Sequence, residues 1–305
     1  MLGYRARRAV LLGPLTTYRV GGPAALLVEA RTLAELHAAR DAVSESGVRV
    51  LVVGKGSNLL VADRGFDGLA LILGDDFASI SLHGTTVDAG GAAPLPVVAR
   101  RSAAAGLAGF EWAVGVPGSV GGAVRMNAGG HGSDMAASLS TARVVDLRGG
   151  EDMDMNVAAL ALGYRTSALA EHQVVVGVTL DLAAGDVGRS QASVAEIIRW
   201  RRAHQPGGQN AGSVFTNPPG QSAGALVEAS GCRGLRRGSA RVSSKHANFI
   251  IADAQGRAGD VVVLMADVQR RVADATGIVL QPETRLVGFG RGDRGYAEML
   301  MLNGR

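Results

Sequence analysis

Apolar and polar positions along the chain repeat with two periods, and the switches between them mark the elements. Residues 26–30, LLVEA, predict a strand, and TLAELHAARDAVSESG from 32 predicts a helix whose Thr32 and Glu35 have the spacing of a capping box. VRVLVVG, ending at Gly54, predicts a second strand, which completes an α/β unit. The glycine loop GKGSN (54–58) follows, and LLVADRGFDGLALIL (59–73) after it is apolar and strand-like. Glycines between two strands rule out a Rossmann fingerprint, which needs them between a strand and a helix N-terminus. A different nucleotide-binding architecture is expected.

Short β patterns continue to about residue 91, and APLPVVARRSAAAGLAG predicts a helix. The glycine-dense stretch GVPGSVGGAVRMNAGGHG covers 115–132. Glycines in such numbers let a backbone approach a ligand closely. ARVVDLRGGEDMDM predicts a β-hairpin, QVVVGVTLDL a strand with alternating faces, and QASVAEIIRWRRAHQP a helix stopped by Pro206. QPGGQNAG shifts composition and predicts a hinge or surface loop. Beyond it come a short helix in SAGALVEASG ending at Gly231, a strand and turn in HANFIIADAQG, a long amphipathic helix in DVVVLMADVQRRVADATG closed by Gly277, and a last strand in IVLQPETRLVGF. The tail RGDRGYAEMLMLNGR has no assignment.

Composition narrows the class. The 305 residues are 47% hydrophobic, enough for a substantial core and for two or three domains. No apolar run reaches the about 18 residues of a membrane span. The N-terminal MLGYRARRAVLLGPL has too short an apolar core for a secretory signal, so a cytoplasmic protein is expected. One cysteine, Cys232, excludes intrachain disulfides, and the six histidines never approach ligand spacing, so no metal site is expected. A net charge of +4 without a basic run gives nucleic-acid binding little support. A small anionic ligand fits better. Lys55 and Lys245 are the only lysines among 31 basic residues, and both lie in turns where a compact ammonium suits better than a planar fork.

Taken one at a time, the candidate chemical residues are ambiguous. Ser213 in AGSVFTNP could cap its own turn, Arg165 in GYRTS could be a surface arginine after a buried tyrosine, and Glu283 could be an exposed carboxylate paired with Arg285. Arg201 and His204 could be solvated residues that favour a helix C-terminus.

The motifs together decide more. TYRVGGPA (17–24), GKGSNLLVADRGFDG (54–68), GVPGSVGGAVRMNAGGHG (115–132), GYRTS (163–167), AGSVFTNP (211–218), VSSKHANFI (242–250) and LQPETRLVGF (280–289) stand in the order found in the UDP-N-acetylenolpyruvoylglucosamine reductase family, which this chain resembles over nearly its whole length. The resemblance implies an α+β chain: a two-subdomain FAD-binding fold of the vanillyl-alcohol-oxidase/PCMH type over residues 1–70 and 71–203, and a C-terminal α/β substrate domain over 204–305. It implies noncovalent FAD, NADPH as co-substrate, and reduction of UDP-N-acetylglucosamine enolpyruvate to UDP-N-acetylmuramate for peptidoglycan synthesis. A monomer without nucleic-acid or membrane partners is expected.

By the same resemblance, Arg165 meets the substrate carboxylate as negative charge develops, Ser213 donates the proton and Glu283 orients the substrate or relays a proton. A guanidinium suits an enediolate, whereas a serine needs a dry pocket and neighbouring cations to act as an acid. Tyr164, Arg201, His204 and Asn217 fall at substrate positions. FAD is expected along Tyr18, Arg19 and Gly21, along Gly54, Lys55, Gly56, Ser57 and Asn58, and along Gly115, Pro117, Gly118, Ser119, Gly121 and Gly122, whose backbone amides would cradle the pyrophosphate. The chain departs from the family pattern at Thr16, at Thr216 where a lysine is usual, at QPE for EPE, and at NAGGHG for NAGAYG. Ser213 lies only 48 positions after Arg165, which resembles the shorter, second class of these enzymes. Two other readings are a flavin oxidase of the same cofactor-binding superfamily, which gives no account of AGSVFTNP with QPET, and a flavin- or nucleotide-binding paralogue without turnover.

Overall fold

The computed structural model describes residues 6–303; the start of the N-terminal stretch and the last two residues of the tail lie outside them. Eight α-helices are described: α1 (Leu33–Ser46), α2 (Leu95–Ala104), α3 (Val120–Arg125), α4 (Val157–Leu160), α5 (Val187–His204), α6 (Ala223–Ala229), α7 (Ala258–Thr276) and α8 (Arg294–Leu302). A four-stranded sheet has the order Arg7–Leu11, Pro23–Ala30, Phe66–Leu73, Val50–Val52, with the last two parallel. An antiparallel five-stranded sheet has the order Met153–Asn156, Leu139–Asp146, Gln173–Asp181, Thr86–Gly90, Ile80–His83.

The described chain forms two compact units. The first comprises the residues through Arg8, Leu26–Lys55 and Gly68–Ala203; the second comprises Ala9–Ala25, Gly56–Asp67 and the residues from His204 on. In the first, Val87, Val98, Phe110, Trp112, Val144 and Leu180 form one buried cluster, and Val28, Leu36, Val43, Leu69, Val145 and Val174 form another. In the second, Tyr18, Val20 and Leu60 are buried with Val214, Phe215 and the apolar stripe Val261, Leu264, Met265, Val268 and Val272 of α7. That stripe has helical spacing, so burial of one face holds α7 in place, at roughly 1.5–3 kcal/mol for each fully buried side chain. The strand Leu59–Val61 pairs in parallel with Arg285–Val287 in this unit.

Local chemistry sets the element ends. Thr32 accepts from the Glu35 amide at 3.2 Å, as its spacing predicts, and the Glu35 carboxylate takes the amide of Arg31 at 2.8 Å. Gly277 closes α7 in the left-handed conformation. The last strand is shorter than the apolar run predicts: only Arg285–Val287 is regular, and Pro282, which has no N–H to give a ladder, makes a single bridge to Phe215. The tail contains a helix. Gly295 in α8 sits where a Cβ would come within 2.6 Å of the Val263 backbone, and Met299 is buried. Among the described residues no helix is long and apolar enough to cross a membrane.

Candidate functional site

None of the five backbone amides from Gly54 to Asn58 donates to an acceptor among the described residues. Gly54 lies against Ser119, and a Cβ at 54 would stand 2.5 Å from the Ser119 hydroxyl, so a larger residue there would have to push that hydroxyl aside. Gly56 is buried in the left-handed region, and a Cβ there would stand 2.2 Å from the Leu15 carbonyl oxygen. Lys55 is exposed. The side chain of Asn58 donates to the Glu283 carbonyl at 3.0 Å, so this loop residue also organises the segment of a proposed catalytic glutamate.

The second loop is pinned to the start of α2. Leu95 donates to the Gly118 carbonyl at 3.0 Å and Val120 to that of Ala93 at 2.9 Å. The Gly121 amide is taken by the Gly91 carbonyl and that of Gly122 by the Ser119 hydroxyl, which caps α3. The amides of Gly118 and Ser119 donate to no acceptor among the described residues, beside the exposed Pro117. Gly115 packs against Ile197 and the His131 ring, and that ring stands edge-on to Trp200 at 5.0 Å.

Arg165 stands in a tight turn closed by Gly163 and Thr166, which exchange backbone hydrogen bonds of 3.1 and 3.2 Å. Its φ of 59° is left-handed, a strain of roughly 1–2 kcal/mol for a side-chain-bearing residue that its surroundings must outweigh. The guanidinium donates to the Gly129 carbonyl at 3.0 Å and crosses the Tyr164 ring at 5.2 Å from its centroid. Tyr164 is 57% exposed, which overturns the picture of a surface arginine after a buried tyrosine. Buried Asn127 ties this turn to the glycine-dense loop: its Nδ2 donates to the Gly163 carbonyl at 3.0 Å and to Asp134 at 3.1 Å, while its Oδ1 accepts from Ala136 at 2.9 Å. Motif 115–132 and motif 163–167 are therefore one assembly in the first unit.

Ser213 and Glu283 belong to the second unit, where the fold brings their segments together. Glu283 donates its amide to the Val214 carbonyl at 2.8 Å, and Thr216 donates its own to the Gln281 carbonyl at 2.9 Å. The turn before Ser213 is capped by Asn210, whose Oδ1 accepts from Gly212 at 3.1 Å. The half-buried Ser213 hydroxyl makes no hydrogen bond among the described residues, so it is not a turn cap. Thr216, where the family pattern has lysine, gives its hydroxyl to the Gln281 carbonyl at 3.3 Å. Exposed Asn217 accepts from the Ala223 amide at 3.0 Å, at the start of α6.

The remaining candidates divide between the units. Arg201 lies in the last turn of α5, and partial burial pulls its guanidinium below the usual arginine range, so it is not a freely solvated helix end. His204 closes α5 in an exposed position. Tyr18 is fully buried, its hydroxyl finds no partner among the described residues, and burial pushes its phenol far above the usual tyrosine range. Arg19 follows it in the left-handed region, held by a hydrogen bond of 3.1 Å from its amide to the Thr16 hydroxyl, and Gly21 packs on Val61.

With this geometry in hand, two family descriptions match the chain: "UDP-N-acetylenolpyruvoylglucosamine reductase, C-terminal domain" over residues 204–287 and "FAD binding domain" over 24–156. The curated UDP-N-acetylenolpyruvoylglucosamine reductase of Rubrobacter xylanophilus is 40% identical over 275 residues, covering 90% of this chain and 92% of that protein. That of Paramagnetospirillum magneticum is 41% identical over 281 residues, covering 92% and 91%. This chain belongs to the UDP-N-acetylenolpyruvoylglucosamine reductase family. The crystal structure of UDP-N-acetylenolpyruvylglucosamine reductase (MurB) from Thermus caldophilus shares its fold with a TM-score of 0.81 at 37% identity, covering 93% of this chain and 99% of that one. The α+β class with a flavin-binding N-terminal part thus holds for this member of the reductase family. Two residues that organise its motifs, Asn127 and Asn248, carry no role in the sequence reading. The available signal is an asparagine within a run of buried apolar residues, as in HANFIIA, because a buried amide must find partners.

Proposed function

We propose that this chain reduces UDP-N-acetylglucosamine enolpyruvate to UDP-N-acetylmuramate with NADPH and noncovalent FAD, in the synthesis of peptidoglycan precursors. The observation that carries the reading, beside family membership, is the Ser213 hydroxyl: its segment is bonded on both sides, yet the hydroxyl itself caps nothing. The residues also fit the cofactor. Within the first unit the amides of Gly54, Lys55, Gly118 and Ser119 donate to no acceptor among the described residues, and such free donors suit a pyrophosphate. FAD, where these residues hold it, would supply the hydride chemistry between NADPH and the enol-ether methylene carbon.

The chain's own residues do the rest. Arg165, held by the Gly129 carbonyl, offers a permanent, forked cation to the substrate carboxylate, where negative charge grows as hydride arrives. Ser213 passes its proton to the neighbouring carbon, which completes the lactyl ether. Glu283 orients the substrate from a backbone fixed by Asn58 and Val214. Arg201, His204, Asn217 and Tyr164 recognise the uridine diphosphate sugar, and residues 204–305 carry it as the substrate domain. Neutral Thr216 leaves the substrate with one phosphate cation fewer than the family pattern provides.

The test is an anaerobic stopped-flow trace. NADPH bleaches the bound flavin, and added UDP-N-acetylglucosamine enolpyruvate restores the yellow colour. Colour that returns only with air would instead identify an oxidase, and a protein that binds no flavin would remove the proposal.

A further inference from the structure

The backbone around Ser213 is shaped by one buried side chain. On one side of the segment lie the backbone bonds to Gln281 and Glu283 already described; on the other side the described hydrogen bonds come from Asn248. The Asn248 carbonyl accepts from Val214 at 2.9 Å, its Oδ1 accepts from the Phe215 amide at 3.0 Å, and its Nδ2 donates to the Phe215 carbonyl at 2.8 Å. A carboxamide that meets both polar groups of one residue does the work of a neighbouring strand's peptide. Asn248 is 4% exposed, so none of these bonds is traded with water. Its own amide donates to Nδ1 of His246 at 3.2 Å, which fixes the residue from behind.

We infer that Asn248 is a positioning residue for Ser213: its carboxamide holds both backbone polar groups of Phe215 and so sets the direction in which the Ser213 hydroxyl is presented. The inference rests on the proposed role of Ser213 as proton donor. Proton transfer needs the two heavy atoms within about 2.6–3.2 Å, and a misplacement of about 1 Å lowers a rate by roughly 10²-fold. Ser213 is bonded to the chain two residues before the clamp, so loss of the clamp changes its placement without touching substrate or flavin.

Asn248→Ala and Asn248→Asp test it by anaerobic stopped flow in the FAD-loaded protein, with Ser213→Ala alongside. In Asn248→Ala, bleaching by NADPH keeps its rate within about twofold while recolouring by the enolpyruvyl substrate slows about 10²-fold. Asn248→Asp gives the decisive pH profile. Its protonated carboxyl offers the same donor and acceptor to Phe215, whereas its ionised form turns an anionic oxygen towards the Phe215 carbonyl. Burial raises its pKa, so recolouring in Asn248→Asp recovers as pH falls, while Asn248→Ala does not. His246, with Arg233, Glu228 and His204 around it, titrates in both variants, so their ratio at each pH isolates the new carboxyl. If Asn248→Ala fails to fold, the profile of Asn248→Asp against wild type still decides. Equal slowing of both half-reactions, normal recolouring in Asn248→Ala, or no recovery of Asn248→Asp at low pH overturns the positioning role. Slow Ser213→Ala with normal Asn248→Ala removes the Asn248 inference alone, whereas normal recolouring in Ser213→Ala removes the Ser213 reading beneath it.

Discussion

Gly56 and Gly84 share a φ of 60°, and the comparison of their alanine variants isolates one steric contact. Gly84 sits in the exposed turn between the strands Ile80–His83 and Thr86–Gly90, where a Cβ meets nothing within 4 Å. Its alanine variant carries only the left-handed penalty of roughly 1–2 kcal/mol, partly offset by about 0.4–1 kcal/mol from a less flexible unfolded chain. Gly56→Ala carries those same two terms and adds a methyl 2.2 Å from the Leu15 carbonyl oxygen and 2.6 Å from the Thr16 Cα. Both neighbours are backbone, so no rotamer change relieves the overlap, and overpacking of this kind costs about 1–3 kcal/mol. Urea unfolding of the flavin-free proteins should therefore show Gly56→Ala less stable than Gly84→Ala by about that amount. Because Gly56 belongs to the loop whose amides are assigned to the FAD pyrophosphate, Gly56→Ala should also bind FAD about tenfold more weakly, a change of about 1.4 kcal/mol, while Gly84→Ala binds it normally. Equal stability and equal FAD affinity in the two variants would refute the reasoning.

Two further outcomes follow from the site. Arg165→Lys keeps the charge but loses the fork that reaches the Gly129 carbonyl, so recolouring of reduced flavin by substrate should slow by about 10²–10³-fold, as for loss of an oxyanion donor; a rate unchanged in single-turnover traces would contradict the carboxylate role. Burial first, and Arg233 second, hold the His246 imidazole below its ordinary 6.5, so the unfolded chain binds the proton more readily than the folded one. Stability is then complete above about pH 6.5 and falls as pH drops from there towards the lowered folded value. Thermal unfolding at pH 7.5 and 5.5 should show a larger loss in wild type than in His246→Asn, whose side-chain oxygen can take the Asn248 amide without titrating; parallel losses would contradict it.

How much of this was legible in the sequence depends on how local each signal is. The Thr32 cap, the Gly277 stop and the glycine loop between two strands are encoded within a few residues, and the structure has all three. The tail helix was not legible, because RGDRG looks like a terminus and the apolar face that follows acquires meaning only against α7. Asn127 and Asn248 escaped for a related reason. Their partners Gly163 and Phe215 lie 36 and 33 positions away, and no periodicity reports a hydrogen bond across such a gap. Ser213 was ambiguous in sequence between cap and acid, and the ambiguity is removed from the cap side by Asn210, which takes the turn amide.

The central claim is that the fold leaves the Ser213 hydroxyl available because its proton is used in the reaction, and Ser213→Ala tests this most directly. The variant removes no hydrogen bond among the described residues, so its stability should stay within about 0.5 kcal/mol of wild type. In an anaerobic double-mixing experiment its flavin should bleach with NADPH at the wild-type rate and recolour with UDP-N-acetylglucosamine enolpyruvate about 10²–10⁴-fold more slowly. Recolouring at the wild-type rate, or equal slowing of both halves, would return Ser213 to a structural residue and contradict the account.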